Sequence, residues 1–295
     1  MTAHPVEIYD TFAEAWTLEV SRLLITAMTT ELAMGAAQQF AGAAGSSMIG
    51  SPLNAGIERV AGPHETPDHR PGVFLSLAHI PENRQALLKE IELRLALASL
   101  VPTVALFDAM IPGLDSVRVD IHAHFAMSQT RWAGKDGERL VAGRRMCVVP
   151  TTTGEFLYEK ELRISANGTD GHFVCFAANA AAAVAAILAA KDAIAAVDGV
   201  APMGYGLEQV YRELDYIPSL RTQIEDSKVP AGVESVLNLL MFGASADLMA
   251  RAMGLALQAA AQAPGVIALT AMNFGGEFGK HKYYLRQLLP PIPEE

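Results

Sequence analysis

Three stretches of this chain concentrate the residue types that move protons and hold anions. The first is Asp10-Thr11-Phe12-Ala13-Glu14-Ala15. It reads equally as a site or as a helix start, with Asp10 or Thr11 as cap and Glu14 in the first turn. The second runs from Ala55-Gly56-Ile57-Glu58 to Glu65-Thr66-Pro67-Asp68-His69-Arg70-Pro71-Gly72. Between Glu58 and Gly72 it holds three carboxylates, two histidines and two arginines in a Gly/Pro-containing loop. Loops are where sites tend to sit, although a solvated surface loop gives the same composition. The third is Asn273-Phe274-Gly275-Gly276-Glu277-Phe278-Gly279-Lys280-His281-Lys282. Its glycines let backbone N–H groups approach a ligand closely. Lys280, His281, Lys282 and Arg286 form a basic cluster in an acidic chain, a candidate anion site. The alternative there is an edge strand blunted by lysines.

A fourth cluster, Asp120-Ile121-His122-Ala123-His124, puts three polar groups on one face of a strand. A solvated strand face explains that alternation better than a metal, because no further ligand has suitable spacing. Cys147 and Cys175 lack C-x-x-C spacing and read as ordinary reduced thiols. Walker A, G-x-G-x-x-G, H-E-x-x-H and G-x-S-x-G patterns are absent.

The elements that must position these residues follow from periodicity. Residues 20–27, 46–49, 72–79 and 102–107 read as strands, with helices beginning after Thr29 and across 82–97. The second half repeats the order, with strands at 172–177, 200–203, 234–241 and 266–270 and helices at 178–197 and 245–262. Gly56-Ile57-Glu58-Arg59-Val60 is matched by Gly206-Leu207-Glu208-Gln209-Val210. The expectation is an α+β protein of two lobes, residues 1–150 and 151–295, each with a duplicated split-βαβ (ferredoxin-like) sandwich. Strands at 117–124, 145–149 and 155–164, with a turn at 134–137, form an antiparallel meander between them.

Just over half of the 295 residues are hydrophobic and 18% are charged, which excludes a disordered chain. A net charge of -10 argues against general nucleic-acid binding. Residues 1–10 lack the basic start and apolar core of a secretion signal, and the apolar run 173–197 is alanine-dominated, so a cytoplasmic location is expected.

At its polar loops the chain resembles the formylmethanofuran–tetrahydromethanopterin formyltransferase family. The shared strings are D-T-F-A-E-A (10–15), A-G-I-E (55–58), E-T-P-D-x-R-P-G (65–72), G-E-F (154–156), P-S-L-R (218–221), V-P-x-G-V (229–233), N-F-G-G (273–276) and G-K-H (279–281). They occur in order over nearly the whole chain. The resemblance implies a two-lobed, tetrameric enzyme that moves a formyl group from the amine of methanofuran to N5 of tetrahydromethanopterin. The two carriers act as co-substrates, with no permanently bound cofactor and no metal. It also implies that a bacterial relative is a subunit of a formyltransferase/hydrolase complex.

Such chemistry needs a carboxyl to shuttle a proton and donors for a tetrahedral oxyanion. The resemblance makes Glu14, Glu58, Glu65, Asp68 and the position of Asn238 candidates for catalysis. Asp10, Thr11, Arg70, Arg221, Asn273, Gly275, Gly276, Lys280 and His281 are candidates for substrate binding. Three departures stand out. Asn238 occupies a position where the family pattern carries a carboxylate, His69 replaces a glycine, and the interval 202–217 is short and lacks lysine. An amide cannot exchange a proton at neutral pH. A catalytically impaired, carrier-binding or scaffolding paralogue is therefore the alternative expectation.

Overall fold

Side-chain caps fix where three of the helices begin in the computed structural model, which describes residues 6–42, 50–121, 137–209 and 213–289. The chain opens with strands β1 (Glu7–Ile8), β2 (Phe12–Ala15) and β3 (Thr17–Thr26). Thr29 then caps helix α1 (Thr30–Ala41), its hydroxyl accepting the Leu32 N–H at 3.2 Å. Strands β4 (Asn54–Ala61) and β5 (Gly72–His79) lead to helix α2 (Arg84–Ala98). Leu87, Leu88, Ile91 and Leu95 of α2 are buried along one face. Its Arg94 donates to the carbonyls of Phe40 and Gly42, both at 2.6 Å, and so satisfies orphan acceptors at the end of α1.

Strands β6 (Ala105–Asp108), β7 (Ser116–Asp120), β8 (Gly137–Val141), β9 (Arg144–Thr151), β10 (Gly154–Glu159) and β11 (Glu161–Ala177) follow. Asn179 caps α3 (Ala180–Ile194) through the Ala182 N–H at 2.9 Å. After β12 (Val200–Gln209) and β13 (Ser235–Gly243), Ser245 caps α4 (Ala246–Ala261). Strands β14 (Val266–Thr270) and β15 (His281–Tyr284) end the set. None of the helices is long and apolar enough to cross a membrane, among the described residues.

The chain divides into two compact units, Leu18–Gly168 and the pair of segments Met1–Thr17 with Thr169–Glu295. This differs from a boundary near residue 150: the division falls inside β11, and the first 17 residues go with the last half. In the Leu18–Gly168 unit the sheet order is β4-β5-β3-β6-β10-β9-β8. An antiparallel meander is formed there by β8, β9 and β10, which is not the expected set: β8 begins at Gly137 in the expected turn, the strand expected at 117–124 is β7 and pairs with residues 161–165 of β11, and the strand expected at 155–164 divides between β10 and β11. Leu23, Ile25, Leu75 and Leu77 face α1 and α2 in one core.

In the other unit the order is β1-β14-β11-β13-β12, while β2 and β15 form a separate ladder. One face of this sheet packs Phe173, Cys175, Leu239 and Leu269 against α3 and α4. Successive strand residues alternate faces, so Val174, Phe176, Asn238 and Thr270 lie on the other face. The alanine-dominated run is the packed helix α3.

Several expected elements take another form. The stretch around Glu14 is the strand β2, not a helix start, and Lys280-His281-Lys282 runs into β15. Ala55 to Glu58 lies within β4 rather than in a loop. The expected strand at 46–49 and the turn at 134–136 lie outside the described residues, as do His122 and His124. Asp120 is exposed beside a buried Ile121.

Candidate active site

Strand pairing brings the first and third polar stretches together in the unit that holds both ends of the chain. Residues Phe12 to Ala15 pair antiparallel with His281 to Tyr284, Glu14 standing opposite Lys282. Ala13 and Ala15 turn into the core, and the alternation sends the Glu14 carboxylate the other way. There it meets the loop between β14 and β15. Oε2 accepts the N–H groups of Phe274 (2.7 Å) and Gly276 (3.0 Å), and Oε1 those of Phe278 (2.7 Å) and Gly279 (2.6 Å). Burial alone would raise this carboxyl, but the four backbone N–H groups outweigh it and hold it at about 2. At neutral pH Glu14 is thus an anion that shapes the loop.

The glycines of the loop are required by this wrapping. Gly275 and Gly276 both have φ near +80°. A Cβ on Gly279 would stand 2.6 Å from the Ala15 carbonyl oxygen. Further bonds pin the loop. The Asn273 amide donates to the Thr11 hydroxyl (3.2 Å) and to the Phe12 carbonyl (3.4 Å). Met272 meets His172 Nε2 through its backbone N–H at 3.1 Å. At the far end, His281 Nε2 lies 3.3 Å from the Thr17 hydroxyl. Phe274 and Phe278, in edge contact with each other, stay exposed.

Three titratable groups surround this loop. Asp170 Oδ1 accepts the Trp16 N–H at 2.6 Å, yet burial dominates and pushes its carboxyl up to about 7. Burial lowers His172 to about 4, so its imidazole is neutral at physiological pH. His281 is also lowered, first by burial and then by the neighbouring Lys280 charge. Neither Asp170 nor His172 stood out in the sequence. The available signal was two ionisable residues, two apart, leading into an apolar strand.

Beside the loop lies a cavity of about 520 Å³, lined among others by Tyr9, Asp10, Thr11, Tyr216, Lys228 and Asn273. Lys228 gives it a cation, held 2.9 Å from Asp215. The expected substrate residues Asp10, Thr11 and Asn273 line it directly, while exposed Lys280 and half-buried His281 follow the loop. Arg221 sits elsewhere in the same unit. It donates to the Val233 carbonyl and lies 4.0 Å from Glu234. Asn238 is 7% exposed on β13, opposite Val174 and Glu208, and its Oδ1 has no hydrogen-bond partner among the described residues.

The remaining candidates belong to the Leu18–Gly168 unit, where each is tied into a local network. Glu58 is buried, accepting from Arg22 Nε at 2.9 Å and from the Ser76 hydroxyl at 2.7 Å. Glu65 caps its own turn: it accepts the Gly62 N–H (2.8 Å) and Arg59 Nη1 (2.7 Å). Those bonds, led by the Gly62 N–H, hold its carboxyl low. Asp68 accepts from the Thr26 hydroxyl (2.7 Å) and Arg70 Nε (2.8 Å), and Arg70 also donates to the Thr103 carbonyl. His69, between them, has a φ of +55°. Cys147 and Cys175 are both buried. No group of three or more His, Cys, Asp or Glu suited to a metal occurs among the described residues.

Comparison with known proteins gives this geometry a context. The sequence profile of formylmethanofuran-tetrahydromethanopterin formyltransferase matches residues 1–151, and that of the proximal lobe of the same family matches residues 209–288. The formylmethanofuran–tetrahydromethanopterin formyltransferase of Methanothermus fervidus is 33% identical over 98% of this chain and 100% of its own length. The solved formyltransferase of Methanosarcina barkeri superposes with a TM-score of 0.87 at 31% identity, covering 98% of this chain and 100% of that one. A chain of the formyltransferase/hydrolase complex of Methylorubrum extorquens, solved with methylofuran, superposes with a TM-score of 0.84 at 26% identity, covering 97% of each.

Proposed function

The chain belongs to the formylmethanofuran–tetrahydromethanopterin formyltransferase family, and from that premise we propose that its site moves a formyl group between formylmethanofuran and tetrahydromethanopterin. The observation that carries this reading is the loop from Asn273 to Gly279, folded around Glu14 next to a cavity able to take a planar ring system. Four of the loop's N–H groups are spent on Glu14, so they do not serve an oxyanion. The Asn273 amide is likewise turned to Thr11 and Phe12, so Lys280 and His281 are the side chains left to donate to it. Exposed Phe274 and Phe278 offer flat apolar surface to a furan or pterin ring. Lys228, Lys280 and Arg221 meet the acidic tails of the carriers. Gly275 and Gly276 keep the loop surface free of side chains.

Within this reading, Glu14 positions the loop and does not shuttle protons, because its carboxyl is ionised throughout the neutral range. Glu58, Glu65, Asp68 and Arg70 hold their own strands and loop. The two units share the element order β-α-β-β-α-β, which supports duplicated split-βαβ lobes. We read the active form as a cytoplasmic tetramer or as one subunit of a larger formyltransferase/hydrolase assembly.

A second reading is a carrier-binding or scaffolding subunit with little turnover, and Asn238 favours it because an amide transfers no proton. A spectrophotometric assay with purified protein, formylmethanofuran and tetrahydromethanopterin decides between them. Formation of N5-formyltetrahydromethanopterin supports the transferase. Binding of both carriers in a calorimeter without turnover supports the second reading.

A further inference from the structure

The two units carry matching positions 150 residues apart: the helix caps Thr29 and Asn179, the strand residues Arg22 and His172, and the carboxylates Glu58 and Glu208. In the Leu18–Gly168 unit the carboxylate is closed in. Glu58 is locked by Arg22 at 2.9 Å and by Ser76 at 2.7 Å. In the other unit His172 stands where Arg22 would, turned to the Met272 backbone and uncharged. Ser76 pairs with Arg22 across the ladder, whereas Leu240 pairs with His172. Among the described residues, neither position matching Arg22 or Ser76 supplies Glu208 with a cation or a hydroxyl.

What Glu208 has instead is Asn238. The two are direct partners in the antiparallel ladder of β12 and β13, so their side chains share a face, with Cβ atoms roughly 5 Å apart. That face is the one opposite α3 and α4, and it also carries Val174 and Thr270, the latter lining the cavity beside the Asn273 loop. An irregularity between Pro202 and Leu207 precedes Glu208, with Gly204 and Gly206 at positive φ. Such bulges re-aim the side chains that follow them. Glu208 is half-buried and takes no hydrogen bond or ion pair among the described residues. Asn238 Oδ1 is buried and lacks a donor among the described residues, which a protonated carboxyl would supply. Burial raises the Glu208 carboxyl.

Resting on the transferase reading above, we propose that Glu208 is the proton-transfer carboxyl of this site and that Asn238 positions it. As the C–N bond from N5 of the pterin to the formyl carbon forms, Glu208 takes the N5 proton. Its acid form donates to the Asn238 amide oxygen until the C–N bond to methanofuran breaks. Glu208 then gives that proton to the departing amine, and ends as it began. The cycle neither oxidises nor reduces any group.

The test is steady-state formyl transfer in the full chain. Glu208→Gln lowers kcat about 100-fold or more, with KM for each carrier within about twofold and both carriers still binding in a calorimeter. Glu208→Asp, which keeps the acid, retains turnover well above that of Glu208→Gln, and added acetate restores part of the rate to Glu208→Ala. Asn238→Asp, which replaces the positioning amide with a second carboxylate facing Glu208, lowers turnover, whereas a site that lacked its acid would gain from the restored carboxyl. Turnover of Glu208→Gln within threefold of wild type, equal loss in the Gln and Asp variants, or a tenfold gain from Asn238→Asp overturns the assignment while leaving the transferase reading intact. Absence of turnover in the wild type removes both.

Discussion

Gly279 donates its N–H to Glu14 at 2.6 Å while a Cβ on it would stand 2.6 Å from the Ala15 carbonyl oxygen. The bond and the bare Cα are one requirement, since only a backbone without a side chain comes this near the strand that carries the carboxylate. Glu14→Gln keeps the volume but replaces one acceptor oxygen with a donor facing N–H groups. Amide exchange at Phe274, Gly276, Phe278 and Gly279 is expected to accelerate, and formyl transfer to fall on the order of 100-fold through misplacement of the loop. Unchanged exchange at these four amides would remove Glu14 from its anchoring role.

The same carboxylate sets an acid limit. Its folded value of about 2 lies below the ordinary 4.5, so it stabilises the fold fully above pH 4.5 and less as pH falls towards 2. Backbone NMR of the loop amides should follow that window in the wild type and lose it in Glu14→Gln.

Asp170 works in the opposite direction. Its folded carboxyl, at about 7 against an ordinary 3.8, contributes stability that is complete below 3.8 and lost as pH rises through 7. Asp170→Asn keeps an oxygen for the Trp16 N–H. Its Tm should match the wild type at pH 4 and exceed it at pH 8. Equal melting of the two proteins at both pH values would show that this carboxyl is not held in its acid form.

Much of the fold was legible before the structure. Thr29 and Ser245 announced helix starts, and residues 72–79 and 266–270 read as strands with the observed bounds. The ladder of β2 with β15 was not, because alanines and lysines give no apolar alternation and the partners lie far apart in the chain. Glu58 read as a loop residue because Gly56 interrupts the strand pattern, and only the buried Arg22 beside it shows its structural part. The site was half legible. Glu14 and Asn273 stand in polar strings, and the repeat marks Glu208 as the counterpart of Glu58, whereas the surroundings of His172 and Asp170, and the proposed pairing of Glu208 with Asn238, come from other strands that no local pattern encodes.

Glu58→Gln therefore tests stability more than chemistry. Breaking a buried ion pair leaves Arg22 uncompensated and costs about 3–5 kcal/mol. Urea unfolding should reveal that loss, with Glu65→Gln, at an exposed pair, costing under about 1 kcal/mol. Similar midpoints for the two variants would contradict the burial difference between them.

His69 adopts a left-handed conformation that costs a side-chain-bearing residue about 1–2 kcal/mol. His69→Gly should gain roughly 0.5–1 kcal/mol after the added freedom of the unfolded chain is subtracted. A loss of stability in urea would mean that the imidazole makes compensating contacts.

The unit that carries the Glu14 loop is assembled from both ends of the chain: β1 lies beside β14, and β2 beside β15. A ribosome releases Leu18–Gly168 long before Val266, so that unit can condense while the first 17 residues still wait for strands not yet made. The unit with the Glu14 loop then matures only after β14 and β15 have been made. A product cut before Val266 should keep a folded Leu18–Gly168 unit yet lack the Glu14 loop, and a chain stalled there would leave β1 and β2 without their partner strands.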